Sequence, residues 1–296
     1  MNGRKYFVII VSFGLLLISV TKGLTSTFPE TDTSSKVSHP LSSLKPSSVW
    51  VVVNLFTGRT SKQAEIVRQK LIGLGAEGEG IVLPYADVTI ENMVQLRPWF
   101  LALSPNGVPW CKYRGRNQEN LTKFFANLKV IIEEMNVPVI GICGGHQALA
   151  LAFGGKVGPI RGGEDDCFPY GDNPTERGRH NIHVVRDDPL FAGMGDTLNL
   201  VQNHYDEVKR LPPGFLTLAS NKLCEHQIIR HPTKPAYGVQ AHTEYYLPSK
   251  PDGGRLLKNF LEIARTHNRL SRGTDGEEPI AAQVHQKQRT RERGKF

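Results

Sequence analysis

Residues 137–149 constrain the fold more than any other stretch of the chain. Val137-Pro138-Val139-Ile140-Gly141-Ile142 reads as a strand buried on both faces. It runs without a linker into Cys143-Gly144-Gly145-His146-Gln147-Ala148-Leu149, where the sequence turns helical. A strand that turns this abruptly into a helix forces its tip residue into a strained backbone conformation. The residues two before and two after the tip must be nearly free of side chain, and here they are Gly141 and Gly145. Cys143 therefore stands at the tip of a nucleophile elbow. At a helix N-terminus, unpaired N–H groups and the helix dipole favour a thiolate over a thiol, which points to a reactive cysteine. The competing reading is a small hydrophobe in the core, where free cysteines commonly sit.

The flanking sequence alternates strands and helices. Residues 49–55 (Val-Trp-Val-Val-Val-Asn-Leu) form a β-branched run, and residues 61–74 carry apolar side chains at helical spacing. Residues 80–84 and 100–103 are further strand candidates, and residues 117–135 read as a long helix leading into the elbow strand. This order predicts an α/β fold with a doubly wound, mostly parallel sheet and helices on both faces. Reactive groups then gather at the carboxyl ends of the strands, where Cys143 and the loop Ser104-Pro105-Asn106-Gly107 both fall. Shorter strand candidates at 182–185, 198–201, 216–220, 227–230 and 237–241 predict a smaller antiparallel extension of the same domain, which spans residues 49–270.

The formal charge of +8 raises the question of a nucleic-acid partner. Residues 1–48 hold five Lys/Arg against two Asp/Glu, and residues 271–296 hold six against four, so only +3 remains for the folded middle. No basic stripe interleaved with aromatics appears there, and no nucleic-acid partner is expected. At the N-terminus, Arg4 and Lys5 precede an apolar run over residues 6–20, too short for a typical membrane span of about twenty residues. Residues 1–23 read as a secretory signal peptide or an uncleaved membrane anchor, which implies export or membrane association, with a cytoplasmic location as the alternative. Residues 24–48 are a Ser/Thr/Pro-rich linker, and the charged, nearly apolar-free tail 271–296 is expected to be disordered. The spacing of Cys111, Cys167 and Cys224 selects no disulfide pair. The cluster Glu164, Asp165, Asp166, Cys167, His180 and His183 matches no rigid ligand spacing, so neither a metal nor a cofactor is expected.

A cysteine nucleophile commonly needs a base, and the base needs a group that orients it. In Tyr237-Gly238-Val239-Gln240-Ala241-His242-Thr243-Glu244, alternation predicts a short strand with His242 and Glu244 on one side, so that a carboxylate fixes the imidazole tautomer. The rivals His146 and His204 read more simply as hydrogen-bonded histidines that shape loops.

Gly141-Ile142-Cys143-Gly144-Gly145-His146-Gln147, then Val201-Gln202-Asn203-His204, then Gly238-Val239-Gln240-Ala241-His242-Thr243-Glu244, in this order, resemble the class I glutamine amidotransferases. The resemblance covers roughly residues 49–265. It implies a flavodoxin-like fold and a Cys143-His242-Glu244 triad that hydrolyses a glutamine side-chain amide through a γ-glutamyl thioester. It further implies an oxyanion hole of backbone N–H groups from Gly144 and Gly107, with Gln147, Gln202, Asn203 and His204 holding the α-amino and carboxylate groups of the substrate. The chain departs from the family at Thr243, where proline is usual, and at Ser104-Pro105-Asn106-Gly107, where Gly-Gly-Pro is usual and Trp110 follows closely. The family's ammonia normally goes to a synthetase, for which residues 49–270 leave no room. Three expectations result. Ammonia passes to a separate synthetase or acceptor subunit; or the chain is a stand-alone hydrolase of glutamine or γ-glutamyl compounds outside the cytoplasm; or it is a catalytically silent binding module.

Overall fold

The computed structural model describes residues 47–164, 166–167 and 175–271. The signal or anchor reading of residues 1–23 lies outside them, as do nearly all of the linker and the tail. Among the described residues, no helix is long and apolar enough to cross a membrane.

Eleven strands and five α-helices are built from the described residues. Strands β1 (Val49–Asn54), β2 (Glu79–Pro84), β3 (Leu101–Leu103), β4 (Val139–Ile142) and β11 (Ala236–Val239) pair in parallel in the order β2-β1-β3-β4-β11. The same sheet continues antiparallel through β10 (Ile228–Arg230), β9 (Leu216–Ser220), β6 (Glu176–Val184) and β7 (Thr197–His204). This is the doubly wound sheet with an antiparallel extension that the sequence predicts. A separate antiparallel pair, β5 (Lys156–Pro159) with β8 (Asp206–Arg210), has no counterpart in that reading, because neither segment carries a β-branched run.

Alternation along β1 shows how the two layers arise. Trp50 and Val52 pack on one face with Ala64, Val67 and Leu71 of helix α1 (Lys62–Gly73) and Phe260 and Leu261 of helix α5 (Asp252–Ser271). Val51 and Val53 pack on the other with Phe124, Leu128 and Ile131 of helix α3 (Arg116–Glu133) and Ala148 and Leu149 of helix α4 (Gly144–Ala152). Helix α1 begins where predicted because the Ser61 hydroxyl accepts from the backbone N–H groups of Gln63 and Ala64. Helix α2 (Ile90–Leu96) starts at a similar Thr89 cap and stops at Arg97, whose φ of 47° is left-handed. Helix α5 carries the fold one residue past the expected boundary at 270; Leu256, Leu257, Phe260, Leu261 and Ala264 form its buried stripe. A disulfide joins Cys111 to Cys167, while Cys143 and Cys224 are free and buried.

Candidate active site

The elbow forms as the spacing predicts. Cys143 is the N-cap of α4 and has φ 50° and ψ −104°, a strained conformation for a residue with a side chain. A Cβ on Gly141 would lie 2.3 Å from the Gly145 carbonyl oxygen, and one on Gly145 would lie 2.3 Å from that of Leu103. The strand-to-helix turn therefore closes only with glycine on both sides. Its tip is fastened by the Cys143 N–H, which donates to the Val239 carbonyl at 2.8 Å.

The partner groups arrive from neighbouring strands. β11 lies beside β4 with Val239 opposite Ile142, so the chain leaving β11 passes directly over Cys143. His242 is anchored there by its own N–H, which donates to the Val201 carbonyl of β7 at 2.8 Å. The expected strand through residue 241 ends at Val239, and Thr243–Tyr245 is a 3-10 turn. That turn, rather than strand alternation, folds Glu244 back so that its Oε1 meets His242 Nδ1 at 2.7 Å. Gln63 of α1 also donates to Glu244 Oε1, at 2.8 Å, and Tyr245 stacks on the imidazole. The buried His242 Nε2 has no fully formed hydrogen bond and is the ring nitrogen not taken by Glu244. Burial works against the imidazolium, but negative charge at Cys143 and the Glu244 carboxylate outweigh it and hold His242 well above its ordinary pKa.

Cys143 and His242 open onto a cavity of about 530 Å3 that Asn106, Gly107, Gln147, Asn203, His204 and Asp206 also line. Gly107 sits under the Phe56 ring, 2.4 Å from where a Cβ would be, and Gly144 is packed against the Asn106 backbone nitrogen in the same way. Both predicted oxyanion segments thus meet beside the thiol. Gln147 reaches the cavity with its amide already engaged: Oε1 accepts from Trp110 Nε1 at 2.9 Å, and Nε2 donates to the Asp206 carbonyl and to Gln240 Oε1. His204 is likewise committed, Nδ1 to the Asp206 carbonyl at 3.0 Å and Nε2 to Glu176 Oε2 at 2.9 Å. Gln202 points away from the cavity and donates to Gln227. Asn203 faces the cavity, and in the β6–β7 register it lies opposite Arg177, another lining residue.

Three residues were not singled out from sequence. Glu176 is a buried carboxylate. Burial opposes its charge, but His204, Asn221 and Gln227 hydrogen-bond it and hold its pKa low. Asp206 lines the cavity, where burial lifts its carboxyl to about 6 against the influence of His204 and Lys209. Gln240 Nε2 lies 3.7 Å from Cys143 Sγ, within reach of a hydrogen bond to sulfur. Gln240 and Asp206 stand inside or beside the motifs around His242 and His204; the hydrogen-bond partners of Glu176, namely His204, Asn221 and Gln227, are 28 to 51 residues away, and His180, 3.4 Å from its Oε1, is its one near neighbour in sequence among these contacts.

The sequence profile of the class-I glutamine amidotransferases matches residues 115–264, half of the chain. The chain belongs to the class I glutamine amidotransferase family. A relative from Archaeoglobus fulgidus, a subunit of a glutamine-hydrolysing GMP synthase, is 39% identical over 140 residues, covering 47% of this chain and 68% of that protein. The corresponding protein of Methanosarcina acetivorans is 40% identical over 133 residues, covering 45% and 62%. The chain thus spans about two thirds of the length of these relatives. Among solved structures, a Thermoplasma acidophilum protein provisionally described as a GMP synthase subunit superposes with a TM-score of 0.59 at 22% identity, over 76% of this chain and 97% of that one. A Thermotoga maritima glutamine amidotransferase does so with a TM-score of 0.50 at 20% identity, over 76% and 93%. The likeness to these structures is one of fold, the amidotransferase α/β sheet. The elbow, the His242 segment and β7 all fall inside the region the family profile matches.

Proposed function

We propose that the protein is a cysteine-dependent amidohydrolase that cleaves the side-chain amide of glutamine and releases ammonia. The observation that carries this reading is the meeting of Cys143, at the strained tip of the elbow, with the hydrogen-bonded His242–Glu244 pair at one cavity. In this mechanism the Cys143 thiolate attacks the amide carbon, and the oxyanion is held by backbone N–H groups at Gly144 and Gly107. The C–N bond breaks as the His242 imidazolium gives its proton to the leaving nitrogen, yielding ammonia and a γ-glutamyl thioester. Water then attacks the thioester, His242 takes a proton from it, and the released thiolate leaves glutamate behind. Glu244 keeps the imidazole in the productive tautomer throughout.

The substrate's head group fits residues whose hydrogen bonds are not already used internally. Asp206 is suited to the α-ammonium, and Arg177 with Asn203 to the α-carboxylate. Gln147 and His204 shape the wall behind them. The ammonia acceptor belongs to a separate synthetase protein, by analogy with relatives whose names mark them as subunits. A second reading, unaided hydrolysis of γ-glutamyl compounds outside the cytoplasm, is favoured by the Cys111–Cys167 disulfide, a bond typical of oxidising compartments, and by the apolar run at 6–20.

Ammonia and glutamate release from L-glutamine and from γ-glutamyl peptides, by the full chain and by Cys143→Ala, tests both readings. Glutamine turnover lost in the variant supports the first. Turnover of γ-glutamyl peptides in preference to glutamine supports the second. Equal inertness of both proteins towards all substrates, with a synthetase partner present, refutes the enzyme reading.

A further inference from the structure

We infer that Trp110, Gln147 and Gln240 form a hydrogen-bond relay of fixed direction whose output is an N–H held on Cys143 Sγ. The inference rests on Cys143 being the nucleophile and adds a group that sets its reactivity. Two ends of the relay admit only one role each. The indole Nε1 of Trp110 can only donate, and the Asp206 backbone carbonyl can only accept. Gln147 lies between them, with Oε1 2.9 Å from the indole nitrogen and Nε2 2.7 Å from the carbonyl, so its amide has one orientation. The second N–H of Gln147 then points at Gln240, 3.1 Å away, which must answer with Oε1. The Gln240 carboxamide is thereby turned so that its NH2 group faces Cys143 Sγ at 3.7 Å.

This direction has a chemical consequence. A carboxamide turned the other way would put an oxygen lone pair against the sulfur and repel a thiolate, whereas the relay presents a donor to it. Hydrogen bonds to a charged acceptor are stronger than neutral ones, and Gln240 is fully buried, where such a bond is least weakened by water. Trp110 is itself held by stacking on Tyr113, with ring centroids 5.3 Å apart, and by an edge contact with Phe125. The altered loop after β3 therefore reaches the nucleophile through three side chains. Gln240 touches the reacting atom; Gln147 and Trp110 are positioning residues.

The test measures the pH dependence of Cys143 alkylation by iodoacetamide, followed at the Cys143 peptide by mass spectrometry, which needs no glutamine turnover. Gln240→Met removes the donor at similar volume and should move the alkylation midpoint upward by about one pH unit. Gln240→Glu, which offers an oxygen to the sulfur, should move it further. Trp110→Phe keeps the stacked ring without the donor and should move it in the same direction by less; it also serves if the buried Gln240 variants fail to fold. Midpoints unchanged in the variants that fold overturn the relay, even if Cys143→Ala abolishes glutaminase activity. Shifted midpoints in a protein that turns over no glutamine leave the relay standing and remove the proposed substrate instead.

Discussion

His146, three residues beyond Cys143, predicts a specific loss of stability in acid. The ring is fully buried beneath the site, and neither nitrogen makes a full hydrogen bond. It is packed so closely against β11 that a Cβ on Gly238 would lie 2.6 Å from its Nδ1. Burial drives its pKa from 6.5 down to about 3, with weak backbone contacts from Gly238 and His226 opposing. Between those values the unfolded chain binds a proton that the folded protein refuses, so stability is intact above pH 6.5 and falls as the pH falls towards 3. Linkage with these two values puts the loss between pH 8 and pH 5 at roughly 2 kcal/mol, rising towards about 5 kcal/mol near pH 3. His231, lowered to about 4 by burial, and His226 and His267 act in the same direction. Asp206, raised to about 6 by burial, acts oppositely, gaining stability as the pH falls through 6. A single titration of the wild type therefore mixes several groups, and the informative quantity is a difference. Urea midpoints measured at pH 8, 7, 6 and 5 for wild type and for His146→Gln should diverge, the wild type losing about 2 kcal/mol more than the variant by pH 5. Parallel pH profiles in a variant that folds would refute the reasoning.

Gly145→Ala should disrupt the elbow, because its Cβ meets the Leu103 carbonyl oxygen at 2.3 Å; we expect alkylation and turnover at Cys143 to fall at least a hundredfold while the far antiparallel strands keep their hydrogen-exchange protection. Glu244→Gln keeps the shape of the 2.7 Å contact but removes the charge that holds the imidazolium, so kcat should fall on the order of a thousandfold with KM little changed. Reducing the Cys111–Cys167 disulfide opens a loop of sequence separation 56, for which chain entropy gives about 4 kcal/mol, read as a lower urea midpoint in the presence of reductant. Arg177→Met and Asp206→Asn should each raise KM for glutamine at least tenfold and leave the iodoacetamide profile of Cys143 in place; an unchanged KM removes that residue from the head-group site.

Legibility followed the range of the interaction. The elbow is readable because its chemistry is local: Gly141 and Gly145 are needed within five residues of chain, and any side chain there meets backbone. The parallel strands are readable because burial on both faces demands apolar runs, as in β1 and β4. β5 and β8 escape because Lys156, Glu207, Lys209 and Arg210 break any such run, and Lys209 is accommodated by its ion pair with Glu207 and its bond to the Ile160 carbonyl. The His242–Glu244 contact is expected from sequence on the wrong geometry, since a two-residue spacing suits both a strand face and a tight turn, and β11 ending at Val239 makes the choice.

The groups assigned to the substrate are least legible, for a reason that bears on the whole site. Gln147, Gln202 and His204 are polar residues in a motif, and motif position alone cannot say whether a buried amide or imidazole serves the ligand or the fold. A buried polar group left unpaired costs about 1–3 kcal/mol, so this sheet pairs them internally: Gln202 with Gln227, Gln227 and His204 with Glu176, and Gln147 with Trp110, Asp206 and Gln240. At the cavity wall, the buried carboxyl of Asp206 and the exposed guanidinium of Arg177 are among the groups not committed to such internal pairs. The same accounting extends to Cys143. Once Gln147 is committed to Trp110 and Asp206, Gln240 has one face left, and that face is turned towards Cys143.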